Sequence, residues 1–269
     1  AGLFRSDDDG NSWSAVDSLN RHEFRQFWGP TGGDPDSCLH SIELDPRDPS
    51  RFYVSISSGG TFYTEDNAAT WQFRNHAVIA TTKMAKDMMA RFADAFAQPN
   101  LPPNVDPASA DEFHRVRIDS KNPDRLWGQA HVGVFRTDNR GEKWHDVTEG
   151  LPSFHGFPIA VTRRDPDAVF VVPLRFEEDN FRVVPGQFAV WRSMDQGKSW
   201  QPLTNGLPGP HDYQSALREA MDTDGLESEG VYVGTSNGMV YASPDLGEHW
   251  TELPGRLPPI LSVTAAVFD

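Results

Sequence analysis

The chain has 269 residues and sets 39 acidic against 24 basic side chains, a formal charge of −15. That balance excludes a nucleic-acid backbone or an anionic membrane surface as the expected partner, since both would be repelled. A single cysteine, Cys38, excludes an internal disulfide and a cysteine metal cluster, and no apolar run reaches the roughly 18–20 residues of a membrane span.

A hydrophobic content of 38% with 22 Gly, 21 Pro and eight Trp suits many short strands joined by tight turns. The length would hold two average domains, but a repeat array occupies it as one, so 1–269 is expected to be a single domain. The chain begins with Ala1 rather than Met, which predicts a processed protein or a fragment. Its location stays open between the cytoplasm and export with a removed signal.

Taken in order, residues 2–5 predict a strand that runs into the phrase Ser6 to Trp13 (SDDDGNSW). The same grammar returns four times: Thr64 to Trp71 (TEDNAATW), Thr137 to Trp144 (TDNRGEKW), Ser193 to Trp200 (SMDQGKSW) and Ser243 to Trp250 (SPDLGEHW). Each copy reads hydroxyl, any residue, Asp or Asn, any residue, small residue, two more, Trp. A β-rich run enters every copy and a second strand leaves from the Trp, so the phrase predicts a hairpin corner. Asp8, Asp66, Asp195 and Asp245 can accept amides of their own turn, and Gly10, Gly141, Gly197 and Gly247 suit positive φ. Ala68 replaces the glycine in the second copy and Asn139 the aspartate in the third, which predicts two less tightly specified corners. Trp13, Trp71, Trp144, Trp200 and Trp250 are expected to be apolar plugs, each removing roughly 150–250 Å² from water.

Residues 1–17 thus hold only the outer hairpin of a sheet, and 18–38 is a long connection that includes Trp28. Residues 39–73 predict a complete four-stranded unit, with an Asp/Pro turn at 45–49 that recurs at 122–123 and 165–166. Residues 76–111 break the rhythm. There 82–98 reads as a helix with Met84, Met88, Phe92 and Phe96 on one face, stopped by Pro99. It is expected to be a packed insertion, with a lid over the central site as the alternative. Further units follow at 113–147, 158–203 (with a long charged connection at 175–182) and 216–253. A last apolar run at 260–268 is expected to close a ring by pairing the two ends of the chain.

The five phrases resemble the Asp-box, or bacterial neuraminidase repeat, of the β-propellers found in sialidases, xyloglucanase-type glycosidases, sortilin-type receptors and a photosystem assembly factor. The chain is closest in kind to bacterial propellers described as sialidase-like or glycosyl-hydrolase-like. The resemblance implies an all-β propeller of four-stranded antiparallel blades, at least five of them, truncated at its start. It also implies that the boxes are peripheral staples and that ligands sit where the inner strands open on one face.

On that plan His40 and His114 start inner strands, and His131 lies between a second and a third strand. His155, His211, Asp212 and Tyr213 enter inner strands, Arg218 and Glu219 lie within one, and Arg175 borders the same face. Trp28 joins them as a ligand contact. A carboxylate pair drawn from Glu219, Asp212 and Glu177 would suit glycoside hydrolysis. Alternatively His40, His114 and His131 could ligate a transition metal, although no local HExxH spacing supports this, and no cofactor is expected. The sialidase pattern of an Arg triad, a Tyr–Glu pair and a Phe/Tyr-Arg-Ile-Pro phrase is not matched. Arg115 and Arg117 are expected to face away from His114 by strand alternation. Two functions remain: a module binding a glycan, peptide or other small molecule at the channel face, or a glycoside hydrolase using carboxylates there. The oligomeric state is not readable from these residues.

Overall fold

The repeated phrase folds into one hydrogen-bonded corner each time. In the computed structural model, which describes residues 2–28, 37–56, 59–75, 78–91, 113–164, 168–175 and 186–268, the Ser193 hydroxyl donates to Asp195 at 2.9 Å and accepts the Gly197 amide at 2.8 Å. Asp195 also accepts the amide and hydroxyl of Ser199, at 2.9 and 2.6 Å. The corresponding hydroxyl bonds to Asp8, Asp66, Asn139 and Asp245 span 2.7–2.9 Å. Two successive residues turn left-handed in every copy, Gln196–Gly197 (φ 65 and 83) and its four equivalents. Ala68 adopts φ 68 without glycine's freedom, at a cost of about 1–2 kcal/mol. The Asn139 carbonyl still accepts the Lys143 amide at 3.0 Å. Both departures from the pattern therefore keep the corner.

The corners set strands antiparallel. β1 (Phe4–Arg5) and β2 (Ser14–Ala15) form a two-stranded sheet. Four four-stranded sheets follow, each in chain order. They are β3 (Leu39–Leu44), β4 (Phe52–Ile56), β5 (Gly60–Thr64) and β6 (Gln72–Phe73); β7 (Phe113–Ile118), β8 (Leu126–Ala130), β9 (Gly133–Thr137) and β10 (His145–Asp146); β11 (His155–Val161), β12 (Val169–Leu174), β13 (Val190–Ser193) and β14 (Gln201–Leu203); β15 (Met221–Thr223), β16 (Val231–Gly234), β17 (Val240–Ser243) and β18 (Thr251–Glu252). The inner strands β3, β7, β11 and β15 are neighbours in that order, a propeller-like arrangement that is not closed into a ring.

Cores lie between successive faces. Trp127, Val134, Ile159 and Val171 fill one, and Phe170, Phe188, Val233 and Trp250 another. Each later corner also docks on the sheet before it. The Trp144 indole donates to the Arg74 carbonyl and that of Trp200 to the Val147 carbonyl, both at 2.8 Å, while Trp71 reaches the Ser18 hydroxyl at 3.1 Å. Trp13 departs from the expected plug. Its ring is 64% exposed and donates to the Gly10 carbonyl of its own corner.

Two further expectations are corrected. The fifth inner strand begins at Met221 rather than 216, because Arg218 takes a left-handed φ of 51 and breaks the extended run. The run at 260–268 does not join the first hairpin. It lies beside the fifth sheet through a parallel bridge of Ser262 with Glu219, and Asp222 accepts the amide of Ala265. The helix expected at 82–98 is present as α1 over Lys83–Arg91, and 92–98 lie outside the described residues. Its buried face is Ala85 and Met88, packed with Tyr53, Tyr63, Phe113 and Trp144, while Met84 is exposed.

Candidate functional site

The site is built by defects in the inner strands. β3 pairs with β4 through Leu39↔Ile56 and then Ser41↔Ser55, which leaves His40 in a bulge. β7 repeats this at His114, between the pairs Phe113↔Ala130 and Arg115↔Gln129. β11 slips between Gly156 and Ile159, which places Phe157 in the equivalent stretch. A bulge bends its strand and re-aims the extra side chain. In the fifth sheet the left-handed Arg218 occupies the same region, just ahead of β15.

These side chains converge at the starts of the inner strands. Phe157 stacks on His114 with ring centroids 4.4 Å apart, and His131 meets His114 edge to face at 4.5 Å. His155 lies 5.2 Å from His114 and 5.8 Å from His131, and His40 closes the group 6.1 Å from His114. The Arg218 guanidinium sits 5.4 Å from the Phe157 ring centroid, within cation–π reach. His131 is held by the turn after β8, where the Gln129 amide donates to the carbonyls of Ala130, Gly133 and Phe154 at 2.9–3.2 Å. Gly156 is required beneath this group, since a Cβ there would stand 2.9 Å from the Val172 carbonyl oxygen and 3.0 Å from Gln129.

The His114 and His155 imidazoles are neutral. His114 donates from Nδ1 to the Gly156 carbonyl at 2.6 Å, and His155 donates to that of His131 at 3.3 Å. Burial, then the neighbouring imidazoles, pushes His114 well below the ordinary histidine range; burial, then His131, pushes His155 down to about 3. Glu219, half-buried beside Arg218, has its carboxyl raised by burial. The layer of His40, His114, His155 and Phe157 is buried, whereas His131, Arg218 and Glu219 form its accessible rim.

Further along the inner strands lies a network of charges. Arg117 pairs with Glu43 and with Asp222, each at 3.0 Å, and Arg163 pairs with Asp222 at 3.0 Å. The Arg115 guanidinium donates to the backbone carbonyls of Glu219 and Met221, and burial lowers it to about 10. Arg115 and Arg117 thus both reach across to the fifth sheet and the residues just before it. The network ties four sheets together, because Glu43 comes from β3, Arg117 from β7, Asp222 from β15 and Arg163 from just beyond β11.

The remaining expected residues are dispersed. His211, Asp212 and Tyr213 lie in the loop before the fifth inner strand, where the His211 amide donates to the Gly186 carbonyl and Asp212 caps the Gln214 amide. Arg175 is exposed just past Leu174, the partner of His155. Trp28 is not a surface contact: its ring is buried against Phe62 and Gly59, under the Arg25 guanidinium. Glu177 lies outside the described residues. As to a metal, no group of three or more His, Cys, Asp or Glu among the described residues is arranged to hold an ion, and His40, His114 and His131 meet as packed rings. A separate depression of about 270 Å³ lies between the first hairpin and the second corner, lined by Val16, Asp17 and Ala68, away from the histidines.

Phe157 and the network of Glu43, Asp222 and Arg163 were not anticipated. The signal available for Phe157 was its place near the start of a third inner strand, in step with His40 and His114.

No family model matches the chain, and no curated protein does. Solved structures do. An ancestral GH74 enzyme superposes with a TM-score of 0.54 at 18% identity, covering 81% of this chain and 24% of that one. PorZ of Porphyromonas gingivalis, a bacterial surface component of the type-IX secretion system, gives 0.51 at 15% identity over 90% and 30%. The GH74 xyloglucanase of Xanthomonas campestris gives 0.50 at 15% identity over 79% and 29%. The chain spans less than a third of each of these structures, and the likeness is one of fold.

Proposed function

We propose that this chain is an Asp-box β-propeller domain, spanning 1–269 with an insertion at 76–111, that binds a polar, uncharged ligand at the histidine-lined mouth of its channel. A carbohydrate is the favoured class and a peptide the other. The observation that carries the reading is the meeting of His40, His114, His131, His155, Phe157 and Arg218, drawn from four sheets, at one end of the channel. The neutral imidazoles of His114 and His155, held by backbone bonds, do not repel an uncharged ligand, and the rim of His131, Arg218 and Glu219 offers both donors and acceptors.

Binding is favoured over hydrolysis by the state of the acids. Glu43 and Asp222 are engaged with arginines, so neither is free to activate water opposite Glu219, and a two-carboxylate mechanism needs such a partner. The raised carboxyl of Glu219 is the one feature that suits a proton donor, and it keeps glycoside hydrolysis as the second reading. A glycan-array screen paired with hydrolysis of chromogenic glycosides separates the two. The expected result is binding without turnover, weakened about tenfold in R218A, the worth of one hydrogen bond to a charged group. Turnover abolished by E219Q would establish the enzyme instead. A screen with neither glycan nor peptide binding would end the proposal.

A further inference from the structure

Outside the five corners, the described residues turn left-handed without glycine at only two places, His211 and Arg218. The corners explain theirs by the hydrogen bonds of the repeated phrase. Arg218 has no such phrase around it, yet it holds a φ of 51, a conformation that a residue with a Cβ resists. It also carries the guanidinium that lies 5.4 Å from the Phe157 ring. Backbone strain of this kind persists only where the surroundings over-determine it.

The surroundings here include a buried arginine from another sheet. Arg115 on β7 is 6% exposed, and its Nη1 donates to the carbonyls of Glu219 at 2.9 Å and Met221 at 2.8 Å. Glu219 belongs to the turn at 217–220, where the Ala220 amide donates to the Leu217 carbonyl at 3.2 Å, and Met221 follows it directly. Burying a guanidinium is costly. Arg117, two positions along the same strand, offsets that cost with Glu43 and Asp222. Arg115 makes no ion pair among the described residues and bonds to the two carbonyls instead. The contact is not a property of the repeat either. Ser41, the equivalent residue after His40 on β3, accepts the Val116 amide of the next strand.

We propose that Arg115 is a positioning residue: by clamping the carbonyls of Glu219 and Met221 it fixes the turn that holds residue 218 left-handed and its guanidinium at Phe157. The inference rests on the binding role proposed for the histidine site, in which Arg218 is a contact and Arg115 acts only through it.

The clamp is testable without any ligand. Glycine accepts a left-handed φ and alanine does not, so R218G should melt above R218A by about 2–4 °C. In the R115M background the turn is released, and that difference should vanish. R115K should restore much of it, because both bonds come from one nitrogen and an ammonium carries three donors. If R115M does not fold, R115Q, polar but too short to reach the carbonyls, serves for the same comparison. A glycine–alanine difference that survives the loss of Arg115 would overturn the proposal. Binding to the glycan array reads the consequence. R115M should weaken it about tenfold, as R218A does, and R115M/R218A no further. Losses that multiply to about a hundredfold would make Arg115 an independent support and overturn the proposal as well. An array on which the wild type binds nothing ends the glycan reading of the site, while the melting comparison still decides whether Arg115 sets the turn.

Discussion

Acid should weaken this fold through its histidine layer, and His155 allows the size of the effect to be worked out. Its ring is buried, donates from Nδ1 to the His131 carbonyl, and is held neutral with a pKa of about 3, against about 6.5 in an unfolded chain. Between those values the unfolded state binds a proton that the native state refuses, so stability is full above the unfolded value and falls as the pH drops toward the folded one. Going from about pH 7.5 to about pH 5 should cost about 2 kcal/mol for this ring alone. His114, displaced in the same direction, adds to the loss. Urea unfolding of the wild type and of H155N at both pH values is the measurement, since carboxylate titrations are common to the two proteins and cancel in the difference. The asparagine amide can keep the bond to the His131 carbonyl but does not titrate. The variant should therefore lose about 2 kcal/mol less on acidification. Equal losses in the two proteins would mean that the ring is solvated in the native state and that the neutral layer does not exist.

Two further outcomes follow from the packing. G197A and G10A place a methyl at nearly the same left-handed φ, 83 and 86, but only the first drives it to 2.7 Å from Val147, whereas the second meets nothing closer than 3.9 Å. The backbone cost is shared, so thermal unfolding should find G197A less stable than G10A by about 1–3 kcal/mol of overpacking. R117M should cost about 3 kcal/mol by denaturant titration, because it leaves the Glu43 carboxylate, 11% exposed, without its partner. R117M/E43L should recover most of that loss, since the uncompensated charge and not the missing ion pair carries the cost.

Much of this architecture is legible in the chain because it rests on local chemistry. Ser193, Asp195, Gly197 and Trp200 lie within eight residues, and the bonds that shape their corner are made among them, so five copies of the pattern announce five copies of the turn. Strands β3, β4, β7, β8 and β12 fall within the units expected at 39–73, 113–147 and 158–203, beside the three Asp/Pro turns. The fifth inner strand was misplaced because nothing local marks Arg218 as left-handed. The burial of Trp28 depends on Phe62 and Gly59, more than thirty residues away. Trp13 and Trp144 are equivalent in sequence pattern yet opposite in exposure, 64% against 2%. What buries Trp144 is a neighbouring sheet, and no property of the phrase records whether that neighbour is present.

The site divides along the same line. Histidines at the starts of inner strands could be picked out as neighbours, because one repeated unit puts equivalent positions at one end of a common axis. Their protonation, their packing as a buried layer on Phe157, and the engagement of Glu43 and Asp222 by Arg117 and Arg163 could not. Those depend on bulges that re-aim single side chains and on charges brought together from opposite ends of the chain. The repeat is written in short-range hydrogen bonds, which the order of residues specifies. The chemistry of the mouth follows from desolvation and Coulomb forces between residues as many as 106 positions apart, which act only once the sheets have assembled.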